Sequence, residues 1–113
     1  MASDFYCDEV FSGKTPVEKV LETGRVLAYH HTRPYWPVHI VVVPKEHVDS
    51  LLTVENDLLV ELMEVAKEVA TTVLEEHGAA RVLTNLGEYQ DSKHLHFHVV
   101  SGSEFRVRDS SGS

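Results

Sequence analysis

The sequence has one cysteine, no long apolar run and no basic leader, and each shortage excludes a class of protein. Cys7 is the single cysteine, so the chain has no internal disulfide and no Cys-x-x-Cys pair to hold a structural zinc. No stretch approaches the ~18 apolar residues of a membrane span. Residues 1–13 carry acids where a secretory leader would carry lysine or arginine. We therefore expect a cytoplasmic protein that does not contact a membrane.

Basic residues are also scarce, since 10 lysines and arginines stand against 18 aspartates and glutamates, a formal charge of -8. Binding to a nucleic-acid backbone needs clustered lysine and arginine, so we expect no nucleic-acid partner. A small anionic ligand is compatible with this charge because it needs only a local positive pocket. The 8 histidines can charge, donate or accept near neutral pH and can supply such a pocket.

Hydrophobic periodicity divides the chain into a few elements. Apolar residues recur at helical spacing from about Val54 to His77, and Gly78 follows as a natural terminator. A short helix is expected over about Phe5–Ser12. The run Val17–Glu22 is compatible with a strand of a hairpin or with a helix, and we favour the hairpin. Five strands are expected, at Val17–Leu21, Arg25–Tyr29, Val38–Val43, Arg81–Leu86 and His94–Ser101.

These elements predict an α+β domain with a mostly antiparallel sheet of about five strands and one long and one short helix to one side. A length of 113 residues suits a single domain over residues 1–113. The Ser- and Gly-rich end, from about residue 104 to residue 113, is expected to be loose. The loop of residues 87–93 leads the chain into the last strand.

Three histidines alternate with apolar residues in the run His94-Leu95-His96-Phe97-His98-Val99-Val100. Side chains alternate between the two faces of a strand, so the three imidazoles are expected on one face, about 6.5–7 Å apart. A His-x-His-x-His run is expected by chance about 0.03 times in a chain of this composition. The spacing is therefore suggestive, and the residues around it decide its meaning.

Two kinds of chemistry suit a row of imidazoles. Adjacent members can bind a common zinc with a third ligand such as His39 or His47 and a water in the open position. Alternatively, the neutral ring of His96 can attack phosphorus while the histidines on each side hold the phosphate oxygens. The attack gives a covalent nucleotidyl-histidine that water then cleaves. A strand that merely presents histidines to solvent is the third possibility.

The run from His94 to Val100 resembles the His-φ-His-φ-His-φ-φ signature of the histidine triad superfamily, in which φ is an apolar residue. A glutamine four residues before the first histidine is common in that family, and Gln90 stands there. Asn85, followed by Gly87, resembles the family's Asn-x-Gly after the penultimate strand. The chain is most similar to the histidine triad nucleotide-binding branch.

A second family segment, an apolar strand between a histidine and Pro-Lys-x-His, is similar to the stretch from His39 to His47. The resemblance extends from about Phe5 to Gly102, in the right order and at nearly the right spacing. It implies the fold of the histidine triad superfamily and a purine nucleotide bound in an apolar cleft. It also implies a homodimer and a reaction that needs no metal or other cofactor.

The resemblance assigns roles to individual residues. His96 is the implied nucleophile, and His98 and His39 contact the phosphate or fix the tautomer of the nucleophile. His94 and the loop at Gln90 address the leaving group. Asn85 is implied to hold a phosphate oxygen.

The chain departs from the family at several positions of the substrate site. His31 stands where relatives often carry Asp or Asn for the ribose hydroxyls, and an imidazole lacks the two acceptor oxygens of a carboxylate. Of the neighbours His30 and His31, only one can line the site, and we favour His31. Ser92 stands where an apolar residue is more usual, and we count it among the substrate-binding residues. Tyr35 and Trp36 can stack on a base, although core packing or a dimer contact explains them more simply.

The leading hypothesis is a nucleotide hydrolase or nucleotidyl transferase that cleaves a nucleoside monophosphate ester or phosphoramidate through a nucleotidyl-His96 intermediate. One alternative within the same fold is the hydrolysis of dinucleoside polyphosphates. Another, from a different class, is a nucleotide-binding regulatory protein with little catalysis.

Overall fold

The computed structural model describes residues 17–90 and 92–104, which contain five strands and one long helix. The strands form one sheet in the order β1-β2-β3-β5-β4, and every neighbouring pair is antiparallel. The predicted α+β fold with a five-stranded antiparallel sheet is confirmed. The elements are β1 (Lys19–Glu22), β2 (Val26–His30), β3 (Val38–Pro44), α1 (Asn56–His77), β4 (Arg81–Thr84) and β5 (Phe97–Ser101).

The helix α1 covers one face of this sheet with an apolar stripe at helical spacing. It ends where the sequence predicted, because Gly78 adopts a φ of 80° and its N–H donates to the carbonyl of Leu74. No helix among the described residues combines the length and apolarity that crossing a bilayer requires. The buried side chains of the helix are Leu58, Leu62, Val65, Ala66, Val69 and Val73.

The alternation of side chains gives the sheet two different faces. Ile40 and Phe97 belong to the core beneath α1. On the opposite face, Val41 packs with a smaller cluster that includes Tyr29. Because Val41 pairs with His98 in the register of β3 and β5, the histidines of these strands lie on the face away from the helix. The hydrophobic core beneath α1 and the histidines of β3 and β5 therefore lie on opposite faces of the same sheet.

The observed bounds correct several predicted ones. The prediction of a last strand from His94 was wrong, because β5 begins at Phe97. β4 ends at Thr84, two residues before the predicted end. Residues 92–94 instead form a bend, and the ring of His94 donates to the carbonyl of Pro44 at the end of β3. The bounds of the hairpin strands and of α1 shift by one or two residues.

The hairpin interpretation of residues 17–22 is confirmed, since β1 pairs with β2. The predicted short helix over Phe5–Ser12 and the predicted loose tail beyond Glu104 lie outside the described residues. A turn of 3-10 helix, Gly87–Tyr89, lies in the loop between β4 and β5.

A polar network joins the β1–β2 turn to the helix. Glu61 accepts hydrogen bonds from the hydroxyl of Thr23 at 2.5 Å and from the backbone N–H of Arg25 at 3.0 Å. The Thr23 hydroxyl and the Arg25 amide lower the pKa of the Glu61 carboxyl. The guanidinium of Arg25 also contacts Glu46 at 2.7 Å and Glu55 at 2.9 Å. The network fixes the hairpin to the first half of α1.

Candidate active site

The segment His94–His96 lies outside the β ladder and is held by hydrogen bonds from three other parts of the chain. His94 Nε2 donates to the carbonyl of Pro44 at 2.8 Å. The N–H of Leu95 donates to the carbonyl of Val48 at 2.7 Å. The hydroxyl of Thr84 donates to the carbonyl of His96 at 2.7 Å. These bonds satisfy backbone groups that a longer strand would have paired with a neighbour.

The evenly spaced row of three rings expected from a strand is not formed. The rings of His96 and His98 approach to 4.9 Å between centroids, edge to face. The ring of His94 packs edge to face against His47 at 5.4 Å, and His47 Nε2 lies 2.8 Å from a carboxylate oxygen of Asp49. The difference arises because the chain bends before β5, so the period-2 alternation does not extend back to His94.

The ring of His96 has one tautomer fixed by the backbone. Its Nδ1 lies 2.8 Å from the carbonyl of His94, and a carbonyl oxygen accepts only, so Nδ1 carries the proton. In the neutral ring, Nε2 then holds the lone pair. The ring is 2% exposed, but its neighbours are other imidazoles, whereas the adjacent Phe97 enters the core beneath α1. His96 therefore has the tautomer of a nucleophile at Nε2.

A chain of hydrogen bonds fixes the opposite tautomer in His98. The N–H of Tyr35 donates to Nδ1 of His39 at 3.0 Å, so the proton of His39 lies on Nε2. His39 Nε2 is 2.8 Å from Nδ1 of His98 and donates to it. His98 consequently carries its proton on Nε2. Two adjacent buried rings, His96 and His98, thus present an acceptor and a donor.

Aromatic rings surround His39 on the same face. His31 stacks on it with centroids 4.3 Å apart and an interplanar angle of 23°. Trp36, which is 4% exposed, contacts it edge to face at 5.1 Å. These contacts hold His39 rigidly between Trp36 and His31. The structure therefore gives Trp36 a packing role against a site histidine.

His31 is the member of the His30–His31 pair that the structure brings to the site. Its ring centroid lies 6.3 Å from that of His98. The N–H of Arg33 donates to His31 Nδ1 at 2.9 Å, so the proton of the neutral ring lies on Nε2. His30 lines a cleft of about 320 Å³ with Val38 and residues of α1, on the helix side of the sheet.

The loop between β4 and β5 brings the other predicted site residues toward His94. Asn85 Nδ2 and Ser92 Oγ are buried and have no hydrogen-bond partner within residues 17–90 and 92–104. Gln90 is anchored, because its Nε2 donates to the carbonyl of Asp49 at 2.6 Å. Lys93 donates to the carbonyls of Gly87 and Gln90 and so closes the 3-10 turn. Two buried polar groups with no partner are a feature of ligand-binding surfaces, since each costs free energy when left unsatisfied.

Sequence reasoning missed three groups that shape the site. Thr84 and the backbone N–H of Tyr35 gave no signal, since a threonine is common in strands and every residue except proline has an N–H. The contact between His94 and the end of β3 depends on tertiary packing.

As for the zinc alternative, within the described residues no group of three or more His, Cys, Asp and Glu side chains is arranged to hold a metal ion.

A five-stranded antiparallel sheet covered by one helix, with interacting histidines on its other face, defines the histidine triad class of protein. The chain belongs to the HIT domain family, whose model matches residues 12–105. The predicted membership of this superfamily is confirmed.

Individual relatives agree with this assignment. An uncharacterized 13.2 kDa HIT-like protein of Azospirillum brasilense is 36% identical over 113 residues, which cover 90% of this chain and 92% of the relative. The adenosine 5'-monophosphoramidase HNT1 of Candida albicans is 27% identical over 107 residues, which cover 88% of this chain and 70% of that enzyme. A HIT family hydrolase from Legionella pneumophila Philadelphia 1 superposes with a TM-score of 0.76 at 26% identity and covers 92% of this chain and 96% of the hydrolase.

Proposed function

We propose that the protein is a nucleotide hydrolase or nucleotidyl transferase that cleaves nucleoside monophosphate esters or phosphoramidates through a covalent nucleotidyl-His96 intermediate. The observation that carries the proposal is the pair of opposite tautomers at His96 and His98, 4.9 Å apart between ring centroids. A lone pair beside an N–H donor suits attack on a phosphorus atom whose oxygen is held by the donor.

In the first step, His96 Nε2 forms a bond to phosphorus and the bond between phosphorus and the leaving group breaks, so that the leaving group departs with the electron pair and takes up a proton from solvent. The ring becomes positively charged because Nδ1 keeps its proton. The carbonyl of His94, 2.8 Å from Nδ1, stabilises that charge. In the second step, an oxygen of water or of another acceptor forms a bond to phosphorus and releases its proton to solvent, and the electron pair of the P–N bond returns to His96 Nε2.

The developing negative charge of the phosphoryl oxygens needs donors. His98 supplies its Nε2–H, and its orientation is fixed by His39. Asn85 Nδ2 is a buried donor with no partner among the described residues, and we assign it to a phosphate oxygen. Ser92 Oγ is a second such group and is assigned to the substrate on the leaving-group side.

His94 and Gln90 are proposed to act on the leaving-group side chiefly by holding the loop. Each uses a side-chain nitrogen to donate to a backbone carbonyl, His94 to Pro44 and Gln90 to Asp49. We retain His31 as a residue of the sugar side, since its ring stacks on His39. Its proton on Nε2 makes it a hydrogen-bond donor toward a sugar oxygen.

The relatives support the chemistry at the level of the family. The Candida albicans relative is described as an adenosine 5'-monophosphoramidase, and the Legionella pneumophila structure as a HIT family hydrolase. We therefore propose a purine nucleoside phosphoramidate as the substrate to test first. We also propose a cytoplasmic location.

We propose further that the protein forms a homodimer through α1 and β4. Glu61 reaches the β1–β2 turn, so the opposite flank of the helix faces β4, the edge strand of the sheet. On that edge Val82 is 46% exposed, and on the helix Leu74 is 53% exposed. An apolar flank beside a strand edge that has no paired strand among the described residues suits association with a second copy. The residues of this flank are Leu59, Met63, Ala70 and Leu74.

The proposal is tested by incubating the protein with an adenosine phosphoramidate and comparing His96→Ala with the wild type. Loss of the nucleophile is expected to lower kcat by at least about 10³-fold. His77→Ala, a substitution of an exposed histidine at the end of α1, is the matched control and is expected to retain wild-type kcat. Mass spectrometry of wild-type protein quenched during turnover should find one nucleotidyl group on His96.

Other outcomes select other functions. Turnover of diadenosine triphosphate in preference to the phosphoramidate would favour a dinucleoside polyphosphate hydrolase. Tight nucleotide binding in calorimetry, with neither turnover nor an adduct, would favour a binding protein. Equal rates for the wild type and His96→Ala would reject His96 as the nucleophile.

A further inference from the structure

The β4–β5 ladder stops one residue short of the proposed nucleophile. Thr84 pairs with Phe97, and continuation of the antiparallel register would pair Asn85 with His96. The two strands end before that pair instead. The end of the ladder lies between Asn85, a proposed phosphate ligand, and His96.

A side-chain hydrogen bond joins the two strands at this end of the ladder. The hydroxyl of Thr84 donates to the carbonyl of His96 at 2.7 Å, a distance typical of a well-formed O–H···O hydrogen bond. His96 lies among buried residues, where a carbonyl without a partner is costly. The hydroxyl therefore ties the end of β4 to the backbone of His96.

The hydrogen bond from Thr84 also constrains the backbone of His96, whereas a different bond constrains its ring. At the ring, Nδ1 is fixed to the carbonyl of His94, and at the backbone, the carbonyl of His96 is fixed to β4 through Thr84. Rotation about the Cα–C bond of His96 would swing the ring relative to that carbonyl. Because the ring and the backbone carbonyl of His96 each have a hydrogen bond, the direction in which Nε2 points is fixed.

We propose that Thr84 is a positioning residue, whose hydroxyl holds the nucleophile His96 in its reactive orientation. This inference rests on the proposed function, because it assumes that His96 attacks phosphorus. Thr84 acts through the backbone of His96 and is not assigned any contact with substrate. Misplacement of a nucleophile by a fraction of an ångström slows the chemical step more than it weakens binding.

The test compares Thr84→Val, which removes the hydroxyl at nearly constant volume, with Thr84→Ser, which keeps it. We expect Thr84→Val to lower kcat by about 10-fold with KM within about twofold of the wild type. Thr84→Ser is expected to stay within about threefold in kcat. Thr71→Val is the matched control, because the Thr71 hydroxyl also donates to a carbonyl at 2.7 Å, that of Lys67, but on the exposed surface of α1.

A second readout does not depend on turnover. Loss of the hydrogen bond should move the ¹³C chemical shift of the His96 carbonyl in Thr84→Val but not in Thr84→Ser or Thr71→Val. The proposal is overturned if folded Thr84→Val has the kcat of the wild type, even if its Tm is lower. It is also overturned if the carbonyl shift is the same in all four proteins.

Failure of the proposed function gives a different result. In that case the wild type itself shows neither turnover nor an adduct on His96, and the proposed role of Thr84 in catalysis is rejected together with the proposed function. The carbonyl shift then still decides whether Thr84 holds the backbone of His96.

Discussion

At the scale of single residues, backbone groups decide which nitrogen of His94, His96 and His39 carries the proton, and the ring of His39 then decides it for His98. The carbonyl of His94 accepts a hydrogen bond from the ring of His96, and the carbonyl of Pro44 accepts one from the ring of His94. The backbone N–H of Tyr35 donates to the ring of His39. A backbone group cannot change its own protonation state near neutral pH, so it imposes one tautomer on its partner. The opposite tautomers of His96 and His98 follow from this arrangement.

His39→Phe tests the dependence of His98 on its neighbour. Phenylalanine keeps the stacking surface for His31 but cannot donate to His98 Nδ1, so His98 loses its fixed tautomer. We expect kcat to fall by about 10²-fold, as for other residues that orient a catalytic imidazole. Steady-state kinetics and ¹⁵N NMR of the His98 ring measure the two effects.

His30→Phe is the control for this substitution, because His30 lies on the helix side of the sheet. It should leave kcat and the ¹⁵N signals of His98 unchanged. A His39→Phe protein with normal kcat would show that the tautomer of His98 is fixed by other groups.

The proposed role of Ser92 in substrate binding predicts a cost in the stability of the protein without substrate. Its hydroxyl is buried with no partner among the described residues, so Ser92→Ala should increase the free energy of unfolding by about 1 kcal/mol. The same substitution should lower kcat/KM, because the substrate loses a hydrogen bond. Urea unfolding and steady-state kinetics test the two effects on the same variant.

Ser101→Ala provides the matched comparison, since the Ser101 hydroxyl donates to the carbonyl of Ala79 at 2.8 Å. This variant should be less stable than the wild type by about 1 kcal/mol. Ser92→Ala with reduced stability would contradict the assignment of Ser92 to the substrate.

At the scale of secondary structure, the elements were predictable in type and less so in extent. The apolar period of α1 and the alternation of the strands are local properties of the sequence, and they place the helix and the sheet correctly. The segment just before the start of β5 at Phe97 is held by contacts of Leu95 with Val48 and of His94 with Pro44, which are distant in sequence. Local patterns do not contain those contacts.

The link between the β1–β2 turn and α1 predicts a dependence of stability on pH. Hydrogen bonds from Thr23 and Arg25 lower the pKa of Glu61 below its ordinary value of 4.5. The carboxylate is therefore the form that the folded state favours. Its stabilising effect is complete above pH 4.5 and is lost as the pH falls through the lower pKa of the folded protein.

Glu61→Gln should lower Tm by a few degrees at pH 7 and should make Tm less dependent on pH below 4.5. Thermal unfolding between pH 3 and pH 7, followed by circular dichroism, measures both. Glu64→Gln, on the exposed surface of the same helix, is the control. Identical pH profiles for Glu61→Gln and the wild type would show that this contact does not stabilise the fold.

At the scale of the whole molecule, the two edges of the sheet differ in what lies beside them. β4 continues into the apolar flank of α1, while β1 adjoins the charged network at Arg25. If a second copy pairs at β4, Val82→Lys places a charge in that interface and should raise the dimer dissociation constant by at least about tenfold. Sedimentation equilibrium over a range of concentrations measures the change.

Val20→Lys is the matched control, because Val20 is 38% exposed on the opposite edge strand. It should leave the association unchanged. A wild-type protein that is monomeric at all concentrations, or equal effects of the two lysines, would contradict dimerisation through β4.

The sequence by itself determined the type and order of the elements, the family, and the set of histidines to consider. These follow from local periodicity and from a motif contained within seven residues, His94 to Val100. Only the tertiary structure decided how the histidines are used. His94 packs against His47, and His98 is paired with His39. His96 is held at its ring by the carbonyl of His94 and at its backbone by the hydroxyl of Thr84. The physical reason is that most of these partners, both side chains such as His47, His39 and Thr84 and backbone carbonyls such as that of Pro44, lie far away in sequence, so that packing selects which of them a histidine meets.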